Sequence, residues 1–240
     1  MKELGTMLLI ENVSKVLGDK HVLRNVSLAV KKGESLSIVG PNGAGKSTFF
    51  KCIVGLLQQD SGEIILAGER IKKNSASTKR KIGFLGHESF LYNSMTPVEN
   101  LHFFGKLYKV KNIAAKTEEL LKTVGLYTFR DIPIRSFSRG MMQRLAIARV
   151  LLAEPDILLL DEPHTGLDQE AVSLLNQIIK KKQSEGTSVL LISHDFEQVV
   201  ALSERIAVLH KGRIIAEAEK GAVHDLQQFK LWYEMTVNPL

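Results

Sequence analysis

Residues 40–48 read Gly-Pro-Asn-Gly-Ala-Gly-Lys-Ser-Thr. They fit the pattern Gly, four residues, Gly-Lys-Ser, with Gly40, Gly45, Lys46 and Ser47 at its fixed places. An apolar run at 36–39 precedes the stretch and reads as a strand; residues 48–57 read as a helix. Strand, loop and helix in that order are the setting the pattern needs. Glycines let such a loop wrap closely, so that successive backbone N–H groups point inward at phosphate oxygens. The following helix adds the positive end of its dipole. Gly40, Pro41, Asn42, Gly43, Ala44, Gly45, Lys46, Ser47 and Thr48 therefore form a candidate phosphate loop. Lys46 would reach the terminal phosphates and the Ser47 hydroxyl would ligate Mg²⁺. The stretch predicts a nucleoside triphosphate site on an α/β fold.

The rest of the chain organises around that unit. Residues 7–13 read as a strand, Gly18-Asp19-Lys20 as a turn, and 22–30 as an alternating strand, so the opening predicts antiparallel strands flanking a parallel core. Residues 63–71 suggest a short hairpin around Gly68, 74–81 a polar loop, and 82–85 another strand. Apolar residues then recur at helical spacing: Leu101, Phe104, Leu107 and Tyr108, later Leu120, Leu121 and Val124. Residues 97–100 fit a helix start and Gly125 a stop. Ser138 is a good N-cap for a helix that ends before Pro155, with Met142, Leu145, Ala148 and Leu152 on one face. Beyond it, strand and helix alternate: strands at 157–160, 189–192 and 206–209, helices at 169–185 and 196–202, and a last strand at 214–217. Such alternation predicts a parallel sheet covered by helices. The expected organisation is one domain over 1–240, with its core at 7–87 and 153–217 and a helical insertion at 88–152. The tail, 218–240, carries Trp232 and Tyr233 and reads either as a packing helix or as a partner contact.

Composition narrows the class. Of 240 residues, 44% are apolar, ordinary for a water-soluble fold. The longest apolar runs are strand length, far below the ~20 residues of a membrane span. Glu3 and the short apolar block at 7–10 do not make a signal peptide. The single cysteine, Cys52, allows no internal disulfide, so a reducing cytosol is the expected compartment. The net charge is +6. Its main run, Lys180, Lys181 and Lys182, falls late in a helical pattern, where lysines complement the dipole. No aromatic residues interleave with it, and no direct nucleic-acid binding is expected.

A second constellation lies at 157–162, Ile-Leu-Leu-Leu-Asp-Glu. A buried strand ending in Asp161 places that carboxylate at the carboxyl edge of the sheet, where it can hold Mg²⁺. Glu162 could polarise an attacking water as general base. With Gly40–Ser47, Ser138-Arg139-Gly140-Met141, Asp161-Glu162-Pro163, Gly166-Leu167-Asp168 and Ser193-His194-Asp195 in this order and spacing, the chain resembles an ABC-type ATPase subunit over roughly 7–217.

That resemblance implies a P-loop core with an antiparallel β subdomain and a helical subdomain, ATP and Mg²⁺ as ligands, and hydrolysis by two subunits closed around two nucleotides. Lys46, Glu162 and His194 would be the catalytic residues. His194 matches a histidine that contacts the γ-phosphate. Ser138, Arg139 and Gly140 match a signature motif that binds the nucleotide of the other subunit, and Asp168 a loop that crosses the dimer interface, in a homodimer or heterodimer. Ser47 and Asp161 would hold the metal, with His87 where a glutamine is usual. The chain departs from the pattern at two further places: Val16 and Leu17 stand where an aromatic residue usually stacks on adenine, and Arg139 and Met141 replace Gly and Gln.

An ATPase of this type usually serves a separate multi-span membrane subunit, which implies a place on the cytoplasmic face of the cell membrane. Phe90-Leu91-Tyr92 lies where family members dock that subunit; the alternative is that these residues anchor the helical insertion. At finer grain, residues 84–92, Asn100-Leu101 and 137–141 resemble the bacterial heme exporter ATPase of cytochrome c maturation. ATPases of drug, lipid or polysaccharide exporters share much of the pattern. Soluble relatives acting on ribosomes or DNA usually carry two ATPase units or a long coiled coil, whereas this chain has one phosphate loop and no sustained heptads.

Overall fold

The computed structural model describes residues 5–71, 78, 80–86, 88–219, 221 and 225–238. Two sheets organise them. The first is antiparallel, in the order β2-β1-β4-β5, built from β1 (Thr6–Leu17), β2 (Lys20–Lys31), β4 (Ser61–Leu66) and β5 (Glu69–Arg70). The second has six strands, β10-β9-β3-β8-β7-β6, from β3 (Ser35–Val39), β6 (Ile82–Leu85), β7 (Ile157–Asp161), β8 (Ser188–Ile192), β9 (Arg205–His210) and β10 (Arg213–Glu219). All its pairs are parallel except the β9–β10 hairpin. Strands β3, β7 and β8 are buried along their whole length. That is why their sequences are continuous apolar runs rather than alternating ones.

The helices cover these sheets. Helix α1 (Lys46–Ile53) follows the phosphate loop. The segment after β6 folds into α2 (Pro97–Tyr108), α3 (Ile113–Thr123) and α4 (Arg139–Leu151). Helices α5 (Gln169–Ser184), α6 (Phe196–Leu202) and α7 (Leu226–Val237) complete the chain. One apolar cluster joins the antiparallel sheet to α1 and one face of the parallel sheet; Phe49, Phe50 and Ile53 enter it fully buried. A second joins α2–α5 to the other face through Leu158, Leu160 and Leu191.

Local chemistry sets the ends. Thr96 caps α2 through a reciprocal capping box with Glu99, and Pro97 stands at its first position. Ser138 Oγ accepts the Met141 N–H at 3.2 Å and starts α4. Helix α1 begins at Lys46 and ends at Ile53, shorter at its far end than the expected 48–57, because Gly55 turns into the left-handed region at φ +70°. Leu107, expected on the apolar stripe of α2, is 62% exposed. The buried side runs through Leu101, Phe104 and Gly105, and position 107 lies beyond its edge at 100° per residue. The expected loop at 74–81 lies largely outside the described residues; of those described, Thr78 and Arg80 are helical. The tail forms α7, whose Phe229 is fully buried and packs edge-to-face with Phe196 of α6 at 4.8 Å. The tail thus packs as a helix, and Leu231 and Met235 on it stay exposed.

Candidate active site

Three parallel strands end side by side. Register pairs Ile38 of β3 with Ile192 of β8, and Ile192 with Asp161 of β7. The phosphate loop, Asp161-Glu162 and Ser193-His194 therefore leave the sheet at one level on its carboxyl edge, where open α/β sheets bind ligands. A cleft of about 530 Å³ opens there. Asn42, Gly43, Ala44, Gly45, Lys46, Ser47, Thr48, Asp161, Glu162 and His194 line it, with Val22, Thr165 and Ile192.

The loop is shaped by close backbone approach. Gly40 sits at φ +154°, and a Cβ there would meet the Leu209 carbonyl oxygen at 2.0 Å. Gly45 sits at φ +106°, with the Val22 carbonyl 2.7 Å from a would-be Cβ. Gly45 also opens α1, and no side chain caps that helix. The first-turn N–H groups and the dipole are thus directed at the cleft, an arrangement that favours an anion. Gly40 and Pro41 lie behind it, where their carbonyls accept hydrogen bonds from Lys46 Nζ at 2.7 and 3.1 Å. Burial lowers the Lys46 pKa, and the nearby Glu162 and Asp161 charges oppose that effect.

Glu162 and His194 form a pair. Glu162 Oε2 lies 2.7 Å from His194 Nδ1 and accepts the His194 backbone N–H at 3.3 Å. An ionised carboxylate can only accept, so this bond places a proton on Nδ1. Glu162 holds a left-handed backbone, φ +52°, which for a non-glycine residue stores of order 1–3 kcal/mol. Its N–H donates to the Ile192 carbonyl at 2.9 Å, and its own carbonyl accepts from Thr165 N–H at 3.2 Å, so the strained turn is tied to β8 and to its own loop.

The other expected residues among those described do not line the cleft. Ser138 and Asp168 serve here as the N-caps of α4 and α5; Asp168 Oδ1 accepts the Ala171 N–H at 2.8 Å. Arg139, with Gln143 and Met142, lines a smaller cavity of about 210 Å³ that shares Asp161, Glu162 and Thr165 with the cleft. Gly140 lies next to Leu167 of the loop before α5. Leu17 is 43% exposed at the β1–β2 turn, and neither it nor Val16 lines the cleft. His87 lies outside the described residues. Sequence reasoning did not single out Val22, Thr165 or Ile192. Only their nearness to quoted motifs pointed to them.

The oxygen donors suit Mg²⁺. The Ser47 hydroxyl and the Asp161 carboxylate share the cleft, and no cluster of three or more His, Cys, Asp or Glu forms a protein cage among the described residues. Mg²⁺ takes one or two protein oxygens and completes its shell with phosphate and water, so this sparse set fits it.

Fold and site together define a P-loop ATPase cassette. The ABC transporter family model matches residues 23–165. The linearmycin resistance ATP-binding protein of Bacillus subtilis is 39% identical over 216 residues, covering 89% of this chain and 70% of that protein. A Nod factor export ATP-binding protein of Cupriavidus metallidurans is 35% identical over 222 residues, covering 92% and 72%. A solved dimeric ATP-binding cassette in a post-hydrolysis state with ADP and Pi superposes with a TM-score of 0.82 at 29% identity, covering 89% of this chain and 99% of that one. The chain belongs to the ABC transporter family. It is an ATP-binding subunit and an ABC-type ATPase.

Proposed function

We propose that this chain hydrolyses ATP to drive export through a separate membrane subunit, as one of two ATPase chains closed around two nucleotides. The observation that carries the chemistry is the Glu162–His194 pair standing across one cleft from the phosphate loop. Lys46, leaving its own loop carbonyls, neutralises the terminal phosphates. Glu162 takes the proton of the attacking water, and His194, held through Nδ1, uses its other ring nitrogen at the γ-phosphate. Ser47 and Asp161 hold Mg²⁺, which when bound supplies charge neutralisation on the phosphate oxygens. Phosphoryl transfer needs chiefly such positioning and charge compensation. Ser138 and Gly140 contact the nucleotide of the facing chain, with Arg139 between them, and Asp168 crosses to it. ATP favours the closed pair because it bonds to both halves.

The membrane subunit docks at the aromatic surface before and along α2. Phe90 and Tyr92 are nearly half-exposed, and Phe103 and Leu107 stand out beside them. Asn100 fixes the segment from below: its Oδ1 accepts the Tyr92 N–H at 2.8 Å and its Nδ2 donates to the Tyr92 carbonyl at 3.1 Å. The Tyr92 backbone is therefore anchored while Phe90 and Tyr92 keep nearly half their surface uncovered, which supports the docking reading. A groove of about 310 Å³ beside them, lined by Phe84, Phe90, Phe104, Tyr108 and Arg149, has room for apolar side chains of a partner helix. No described helix is long and apolar enough to cross a membrane; a place on the cytoplasmic face of the membrane follows from the proposed partnership with the membrane subunit.

Export is favoured by the relative named for it, and resistance to linearmycin by another is in keeping with outward transport. The heme-related reading rests on the resemblance at residues 84–92, Asn100-Leu101 and 137–141, and gains nothing from these relatives. The test is co-purification from native membranes of Glu162→Gln held with ATP, which should trap the closed pair. Recovery of a multi-span chain is expected. A preparation that carries ribosomes or DNA and no membrane chain overturns the transport reading; cytochrome c assembly factors beside the membrane chain would restore heme.

A further inference from the structure

We propose that His164 is a positioning residue, which through Asn176 and Gln198 holds the Glu162–His194 pair in its working geometry. The inference rests on the roles given above to Glu162 and His194. His164 lies two residues beyond Glu162, 8% exposed, in the loop that leads to Asp168. Its Nε2 is 2.9 Å from Asn176 Oδ1 on α5. Asn176 Nδ2 donates in turn to Gln198 Oε1 on α6 at 2.7 Å. The Gln198 N–H donates to Asp195 Oδ1 at 3.2 Å, and Asp195 follows His194. With the direct 2.7 Å contact between Glu162 and His194, these links close a ring. The two chain segments that carry the pair, already joined through the Glu162 N–H bond to the Ile192 carbonyl, are thus joined at the pair and again behind it.

The opposite side of the same loop is held by α4. Gln143 Nε2 donates to the Pro163 carbonyl at 2.9 Å, and the Arg139 guanidinium lies against Gly166. Both contacts add to the backbone bonds that over-determine the left-handed turn at Glu162.

Simple space-filling is the competing account of His164. The ring's Nδ1 is buried with no hydrogen-bond partner among the described residues. An aliphatic side chain would fill the same volume without that unpaired atom, so what the imidazole adds is its bond to Asn176. Burial also lowers the pKa of the ring. It therefore stays neutral near pH 7, with one fixed donor nitrogen.

Steady-state phosphate release by the full chain, with its membrane subunit where required, separates the two accounts. His164→Leu should lower kcat roughly tenfold to a hundredfold, the scale of a small misplacement of reacting groups. KM for MgATP should stay within about twofold and the melting temperature should hold, because nothing is removed from the phosphate loop. His164→Gln, whose amide can give the same bond to Asn176, should recover most of kcat. The double variant His164→Leu with Asn176→Leu should be no slower than His164→Leu alone, since the two act as one unit. Unchanged kcat in His164→Leu, or a loss that Gln does not repair, overturns the proposal. Should His164→Leu fail to fold, Gln198→Leu is read in its place, and unchanged kcat there overturns it equally. Glu162→Gln in the same assay keeps the two readings apart: if that variant turns over normally, the catalytic assignment fails, whatever His164 does.

Discussion

The carboxyl edge of the parallel sheet and the aromatic surface before and along α2 are held in opposite ways. At the edge, strand ends set the positions. Val39, Asp161 and Ile192 end buried strands: Glu162 and His194 follow the last two within two residues, Glu162 tied back to Ile192 by a backbone hydrogen bond, and the phosphate loop carries the chain from Val39 to Lys46. At the aromatic surface, side chains set the positions. Tyr92 meets Phe103 edge-to-face at 4.9 Å, Phe103 meets Phe104 at 5.2 Å, and Arg149 stacks over Phe104 at 5.3 Å and Phe90 at 5.7 Å. Chemistry demands fixed groups, which backbone geometry supplies. Docking demands apolar area left uncovered, which only packing can leave. Substitutions should therefore separate activity from stability at the edge, and stability from partner binding at the aromatic surface.

The largest separation should come from Glu162→Gln. The amide keeps the shape and still accepts from the His194 backbone, but it cannot take a proton from water. Phosphate release should fall by about 10²–10⁴-fold, with nucleotide binding and melting temperature near wild type. A loss below tenfold would mean that another group serves as base. Next comes Phe104→Ala. Phe104 is 6% exposed and joins α2 to the second cluster, so its truncation should cost about 3–5 kcal/mol in denaturant unfolding. Tyr92→Asp, one ring outward, should cost under about 1 kcal/mol, because the residue is 45% exposed and its backbone bonds to Asn100 survive. It should nonetheless release the chain from membranes while leaving ATP binding intact. A Tyr92→Asp protein that unfolds would show that the rings are structural and remove the contrast.

The same difference governs what the sequence disclosed. The edge was legible because its chemistry is written in short motifs at strand ends: Lys46, Ser47, Asp161, Glu162 and His194 were all named from spacing or resemblance, and the fold gathers all five. The alternation of apolar runs with helical patterns likewise disclosed the parallel sheet and the helix at Phe196–Leu202 to the residue. The aromatic surface was not legible in this way. Leu107 reads as part of the stripe with Leu101 when apolar residues alone are followed, yet at 100° per residue it falls beyond the buried edge and stands exposed, and which edge is buried depends on where α2 is seated. The tie from His164 to Gln198 joins residues 34 positions apart through a third at 176, and no local pattern marks it.

Helix α1 spans both regions, and a small effect on it sharpens the contrast. Its first residues line the nucleotide cleft, and Val54, just past its end, lines the groove by the aromatic surface. Between them Cys52 is buried, and burial pushes its thiol from 9.0 up to about 11. Because the folded value is the higher one, this thiol's contribution to stability is whole below pH 9. It is lost as pH rises from 9 toward 11, where the unfolded chain releases the proton first. Wild type should therefore lose melting temperature between pH 8 and pH 10 more steeply than Cys52→Ala, although the alanine variant starts lower for want of packing. Equal slopes would mean that α1 admits water around Cys52. Alkylation of the native thiol at pH 8 should be slow. Saturating ATP should slow it further by stabilising the phosphate loop at the head of the helix, whereas Tyr92→Asp should leave it unchanged.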